Sequence, residues 1–234
     1  MPQDTPTVPT SRMTLLTLST GAIEAVSFLA LGPVFIAMQT GNVLFLAFTA
    51  AGRGGLPPAA SGVSLAAFTL GAVLGARLES GAEERRRRWL TTALVTEALL
   101  LAAAALTGWG LGDAGGTPTG RHLLVIAGLA LAMGVRNVTT LRLPVPDMPT
   151  TLVTRSLTGL VAASPLGRDP ALGYGKGSWA RRAFSVLGMF AGGFLGAALL
   201  AAGLPLSVVI LLAAVLVLLV ALSLWSARPL GGRS

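Results

Sequence analysis

Cysteine is absent from this 234-residue chain, and charged side chains are scarce. The absence of Cys removes disulfides, thiolate metal sites and thiol nucleophiles together. One His and nine acidic residues leave little from which to build a metal cage, so neither a metal nor any other cofactor is expected. There is also no GxSxG, no HExxH, no phosphate-cradling glycine loop and no acidic pair placed for hydrolysis, so the chain does not read as an enzyme or as an ATP-driven pump. What the sequence does have is apolar length. Hydrophobic residues make up 53% and charged residues 11%, with a mean hydropathy of +0.76, a balance foreign to soluble domains of this size. An integral membrane protein is expected, with the lipid bilayer as its surroundings.

The net charge of +8 does not point to nucleic acid, because the basic residues lie between apolar runs rather than on a domain of their own. Loops obeying the positive-inside bias account for them, the Arg85-Arg86-Arg87-Arg88 run included, with a lipid-headgroup contact as a secondary effect. The segment MPQDTPTVPTSR, with three Pro and no small-residue cleavage site after a short apolar run, does not look like a cleaved signal peptide.

Eight apolar segments follow: 13–31, 34–52, 58–79, 90–111, 122–142, 148–163, 183–203 and 205–225. The first four resemble the last four in order. Gly21 aligns with Gly134, Glu24 with Asn137 and Pro33 with Pro146; after a one-residue gap Thr40-Gly41-Asn42 falls on Thr154-Arg155-Ser156, and Gly71 and Gly75 match Gly192 and Gly196. Segments two and six are the broken ones, one beside Gly32-Pro33, the other beside Pro144, Pro146 and Pro149. Interrupted apolar segments at matching places in two halves are a pointer to a transport site, because broken helices free backbone polar groups to meet a solute.

Positive charge tests whether those two segments cross. If all eight cross, Arg12, Arg53, Arg121, Arg168, Lys176, Arg181, Arg182, Arg228 and Arg233 face one side and Arg77, Arg85 to Arg88 and Arg142 the other, a weak bias. If segments two and six dip in and return, only Arg53 and Arg121 oppose all the others outside the apolar runs. A crossing by segment two alone is nearly as good by charge, but equivalent segments should behave alike. Segment six, MPTTLVTRSLTGLVAA, is moreover a poor lipid-facing span, with Arg155 among its Thr and Ser residues. Three crossings per repeat, an odd number, turn the second repeat upside down.

The expected fold is therefore an all-α polytopic membrane protein with about six transmembrane helices plus two broken or re-entrant segments, in two inverted repeats. Residues 1–12 and 226–234 form cytoplasmic tails, and 13–225 is a single transmembrane domain made of repeat one, 13–111, and repeat two, 122–225.

Glu24 lies mid-segment, where an unpaired carboxylate is costly; it reads as a solute, ion or proton site, or as a fixed ion pair with Arg136 or Arg155. Arg136 and Asn137 occupy the matching place of the second half. Buried Arg residues suit an anionic or zwitterionic solute, although for Arg136, six residues before Arg142, snorkelling to an interface is favoured. Thr40, Gly41 and Asn42, with Thr154, Ser156 and Thr158 in the second copy, supply hydroxyl, close backbone approach and amide, with helix packing the competing role. Glu97 is read as pairing with Arg85 to Arg88 or a neighbouring helix, the glycine series as small-residue packing, His122 as a solvated boundary residue, and Trp89, Trp109, Trp179 and Trp225 as an aromatic belt.

At GAIEAVSFLALGPVFIAMQTGNVLFL, and again at GVRNVTTLRLPVPDMPTTLVTRSLTGL and GMFAGGFLGAALL, the chain resembles the YoaK family, also called DUF1275 or UPF0700, of bacterial multi-pass membrane proteins. The likeness covers nearly the whole chain. It singles out Glu24, Phe28, Gly32, Phe35, Thr40, Gly41 and Asn42, and in the second half Gly134, Asn137, Pro146, Thr151, Thr154 and Thr158. The family often has Asp at position 24 and a less charged residue at 155, so Glu24 and Arg155 suggest a local ion pair. The resemblance implies a membrane fold and no particular substrate.

Together these readings give a bacterial inner-membrane transporter or channel for a small polar or anionic solute, both termini cytoplasmic, with Glu24, Thr40, Gly41, Asn42, Arg136, Asn137, Thr154 and Arg155 around a site between the two broken segments. The alternative is a non-transporting scaffold or accessory subunit that binds a partner protein or lipid; a membrane-embedded enzyme acting on lipid ranks third. A homo-oligomer fits either reading.

Overall fold

The computed structural model describes residues 9–80, 86–143, 153–164, 166–168 and 178–226. Arg85, Pro144, Pro146, Asp147, Pro149, Thr151, Lys176, Arg228 and Arg233, all used in the sequence argument, lie outside the described residues, and so do the side chains of Arg86 to Arg88. Eight helices follow in order: α1 (Thr10–Leu29), α2 (Gln39–Ala50), α3 (Pro58–Ser80), α4 (Arg86–Thr107), α5 (Gly120–Arg142), α6 (Val153–Ala162), α7 (Ser178–Ala201) and α8 (Leu206–Ser226). Among the described residues there is no strand.

Five helices, α3, α4, α5, α7 and α8, are long and apolar enough to cross a membrane. The chain is an all-α, multi-span membrane protein. α1 is comparably long at 20 residues but more polar, and it buries what the others avoid: Thr17, Ser19, Thr20, Glu24 and Ser27 all face the interior. Its hydroxyls are neutralised locally, Thr17 Oγ1 donating to the Met13 carbonyl at 3.0 Å, Ser19 Oγ to Leu16 at 2.8 Å and Ser27 Oγ to Glu24 at 3.0 Å. Back-bonding of this kind lets Ser and Thr sit in a helix without water. The outer faces of α7 and α8 show the opposite composition, with Phe184, Leu187, Phe190 and Phe194 exposed on one and Leu212, Leu219 and Leu222 on the other, as a lipid-facing surface requires.

Glycines set the closest helix contacts, and they do so twice. A Cβ on Gly71 would strike the Leu131 carbonyl, and one on Gly75 would press on Val135 and Val138; Gly134 on α5 in turn lies against the Phe68 carbonyl. In the other half, Gly192 meets the Leu18 carbonyl, Gly196 meets Ala22 and Ala25, and Gly21 meets the Met189 carbonyl. Position for position, the first set maps onto the second. The α3–α5 and α1–α7 joints are thus one packing solution used twice, and in each the residue numbers rise together, so the paired helices run parallel. Small residues permit this approach where lipid offers no hydrophobic force between helices.

The direction of every long helix follows. The Ala114 amide donates to the Ala30 carbonyl at 2.8 Å, and Gly32 lies beside Pro118, so α1 ends where α5 begins. Gly108, just past α4, packs on Leu206 at the start of α8. Since α3 runs parallel to α5, it starts from the end of the bundle at which α1 finished. The intervening chain, including α2, returns to the end it left. By the same reasoning α5 finishes and α7 begins at the opposite end, with α6 between them. α2 has only 12 residues, about 18 Å, against the roughly 30 Å of a hydrocarbon core. The two repeats are inverted, and α2 and α6 do not cross.

This arrangement also sorts the charges. Arg12, Arg77, Arg142, Arg181 and Arg182 sit near helix ends on one side of the bundle, here the basic end, and Arg53 and Arg121 on the other. Trp109, Trp179 and Trp225 are exposed at the ends, as a belt demands, whereas Trp89 is half-buried and packs on the core. α2 packs on α3, and α6 on α7. The expectation of a site formed between α2 and α6 does not match this packing, because each short helix docks on the third helix of its own repeat, at opposite ends of the bundle.

Candidate functional site

The sequence-predicted polar residues divide into two separate centres and an exposed group. The first centre is where α1 hands over to α2. Gly32, with φ of 115°, turns the chain out of α1 in a conformation that L side chains resist. From there to Met38 the backbone forms no helix, and apart from the Val34 amide, which donates to the Gly32 carbonyl at 2.6 Å, its amides need side-chain acceptors in an environment without water. Glu24 supplies them. Its Oε1 accepts from the Ala37 amide at 2.6 Å and from Met38 at 3.2 Å, and its Oε2 accepts from Ile36 at 3.1 Å and from Ser27 Oγ at 3.3 Å.

Asn42 completes the knot from α2. Its Oδ1 accepts from the Phe35 amide at 3.0 Å, while its Nδ2 donates to the Phe35 carbonyl at 2.6 Å and to Gln39 Oε1 at 2.8 Å. Ser64 of α3 donates to the same Phe35 carbonyl at 2.7 Å, so α1, α2 and α3 all hold one short stretch of backbone. Gly41 has a close neighbour too: the Phe35 ring occupies the space a Cβ would need. That ring also lies between Phe28, tilted against it at a centroid distance of 5.3 Å, and Phe45, stacked on it at 5.8 Å.

The predicted ion pair of Glu24 with Arg136 or Arg155 does not form. The carboxylate is engaged by backbone amides and Ser27 instead, a partner set that no charge pattern in the sequence could announce. Thr40, beside these residues in sequence, is exposed. In the second repeat Thr154 and Arg155 are likewise exposed on α6, and Ser156, the counterpart of Asn42, is buried. Asn137 is half-buried on α5, at the place matching Glu24. Arg182 of α7 is buried, its guanidinium lying over Gly159 and donating from Nη1 to the Gly159 carbonyl at 2.7 Å.

The second centre lies deeper. Arg136 is fully buried and does not snorkel. Its Nη1 donates to the Leu16 carbonyl at 2.6 Å, to Ser19 Oγ at 2.9 Å and to Thr20 Oγ1 at 2.8 Å, all on α1, and its Nη2 pairs with Oε1 of Glu97 on α4. Of the partners expected for Glu97, the structure supplies the neighbouring helix, α5. Glu97 stands mid-helix, eleven residues from the start of α4, about 16 Å along the axis. Glu97 Oε2 and Arg136 Nε, both buried, have no hydrogen-bond partner. The sequence singles out both Arg136 and Glu97 but does not join them, and it does not mark Ser19 and Thr20; the signal available is that α1 is polar on a face that must be buried.

His122 also departs from expectation. It is buried rather than solvated, with Nδ1 accepting from the Thr119 amide at 3.2 Å and Nε2 donating to the Gly112 carbonyl at 2.9 Å, and so fastens the α4–α5 loop to the first turn of α5. Arg121 caps α4 from the same turn through the Thr107 and Trp109 carbonyls, at 2.9 and 2.8 Å.

These features define a class: a multi-span helical membrane protein of two inverted repeats, each with a short non-crossing helix, around a buried charged pair. The chain belongs to the DUF1275 family, described as a protein of unknown function, which it matches over residues 12–223. No curated protein and no solved structure matches it.

Proposed function

We propose that the protein carries a small polar or anionic solute across the bacterial inner membrane, as a transporter or channel rather than an enzyme, with both termini cytoplasmic. The observation that carries this reading is the inversion of the repeats. Inverted repeats with interrupted elements present two similar half-structures to opposite sides of a membrane, which is what alternating access needs. A charged pair in the middle of such a fold supports the same reading, because ionisable groups at that depth are costly unless they serve a pathway or one another. The segregation of Arg residues supports the orientation.

A second reading, a scaffold that binds a partner or lipid, is favoured by one observation: Glu24 and Asn42 are occupied by their own α1–α2 backbone, as residues that only hold a fold together would be. Thermal unfolding of the purified chain against a panel of ions and metabolites separates the two. A ligand that binds the folded state raises the midpoint, and the same compound should then move into liposomes containing the protein. Stabilisation by no solute, together with no flux of any panel member, would favour the scaffold.

A further inference from the structure

We propose that Glu97 is a proton-binding site at the centre of the bundle, with Arg136 as its fixed, uncleared counter-charge. As the driving ion of transport this rests on the reading above; as a binding site it stands on geometry alone.

Three observations converge on it. The first is an inequality between the partners. Arg136 makes three bonds to α1 that do not involve Glu97, all to neutral oxygens. Glu97 has one partner, through Oε1, and its Oε2 is buried and open. Neutralising Glu97 therefore leaves Arg136 held, whereas among the described residues no second cation pairs with Glu97. The proton adds to the carboxylate, giving a neutral carboxylic acid, and the charge-assisted bond from Arg136 Nη2 weakens to one between a cation and a neutral oxygen. No other bond is made or broken.

The second observation is that the fold can do without the pair. Repeat symmetry, which sets Gly21 on Gly134, sets Arg136 on Ile23; eleven residues into α8, as Glu97 is into α4, stands Val217. Ile23 and Val217 are both buried. One half of the molecule thus has buried apolar side chains at the positions where the other has an ion pair. Since buried ion pairs commonly stabilise no better than apolar groups of similar volume, stability does not account for the substitution.

The third is the lining on either side of the pair. Toward the basic end lie the buried hydroxyls of Thr17, Thr91 and Thr139. Toward the other end, α4, α5 and α8 contribute buried apolar side chains such as Leu101, Ile126, Leu129 and Ile210, until His122 and Ser207 at the tip. α1 adds the buried Glu24 and Ser27 toward that end, but there the Glu24 carboxylate is already engaged with the amides of residues 36 to 38.

Among the described residues no other titratable group competes for the role. On α1, Glu24 is engaged with the amides of residues 36 to 38 and Arg12 is at the helix start; on α4, Arg86 to Arg88 open the helix; on α5, Arg121, His122 and Arg142 lie at its ends; on α3, which packs on α5 and α4, Arg77 and Glu79 are in the last turns; α8 has no titratable side chain.

The test is infrared difference spectroscopy of the full chain in liposomes, taken between mildly alkaline and mildly acid pH. The wild type should gain a carboxylic-acid C=O band on acidification, Glu97→Gln should lose that band, and Glu97→Asp, which keeps a titrating carboxyl, should move it. A wild type with no such band, a band that survives Glu97→Gln, or one that Glu97→Asp leaves in place would overturn the proposal. Should Glu97→Gln fail to fold, the Glu97→Asp comparison alone decides. Transport can fail separately: a titrating Glu97 without solute flux sinks the transport reading and leaves the site, while solute flux with a silent Glu97 does the reverse.

Discussion

Removing the Glu24 carboxylate should release the turn between α1 and α2 while the helix bundle stays assembled. In Glu24→Ala, the amides of Ile36, Ala37 and Met38 lose their acceptor. A buried amide without a partner costs about 1–3 kcal/mol, so three of them place the local loss at roughly 4–5 kcal/mol once water has partly compensated. Asn42 and Ser64 still hold Phe35, and α3–α5 and α1–α7 packing is untouched, so the opening is local. At 1.4 kcal/mol per tenfold, exchange of those amides should accelerate about a thousandfold. Glu24→Gln keeps one acceptor oxygen and loses the charge, and should accelerate exchange only about tenfold. The assay is hydrogen exchange by mass spectrometry in detergent or nanodiscs, resolved over residues 33–42. Unchanged protection in Glu24→Ala would refute the reasoning, because the amides would then have another acceptor.

The glycine joints carry a graded prediction. Gly71→Ala and Gly192→Ala drive a methyl into a backbone carbonyl of the parallel helix, whereas a Cβ at Gly75 would meet its neighbours at 3.3 Å. The first two should each lower stability by about 1–3 kcal/mol or more and Gly75→Ala by distinctly less, read as unfolding midpoints in detergent. For the charged pair, Arg136→Ile should cost about 3–5 kcal/mol by leaving the buried Glu97 carboxylate without its one partner, and Glu97→Val distinctly less, because three α1 oxygens still hold Arg136. The double variant, which copies the Ile23 and Val217 of the other half, should recover most of that loss; additive losses in a double-mutant cycle would contradict the coupling.

How much of this was legible beforehand depended on what kind of partner each residue has. Helix number, the repeat and the non-crossing role of segments two and six followed from apolar length, from Gly21 and Gly134 with the later glycine pairs, and from where Arg residues fall, because lipid constrains all three directly. The pairing of polar residues did not follow. Glu24 binds backbone amides, which every residue but Pro owns and which therefore leave no mark in the sequence. Arg136 stands six residues from the end of α5 and Glu97 eleven from the start of α4, so counting from helix ends puts them at different depths; only the relative height of the two helices brings them level. Thr40, Thr154 and Arg155 were drawn into one site by position in the repeat, but the structure turns them outward on helices at opposite ends.

The measurement that tests the central claim most directly is sidedness of single cysteines, for which a chain without native Cys is ready made. Ser11→Cys and Arg142→Cys report the basic end, Asp113→Cys the other, and Arg53→Cys the segment just after α2. In intact cells an impermeant thiol reagent should label positions 53 and 113 alike and reach 11 and 142 only after permeabilisation. Labelling of position 53 together with 11 and 142 would mean that α2 crosses the membrane, and the inverted-repeat account would fall.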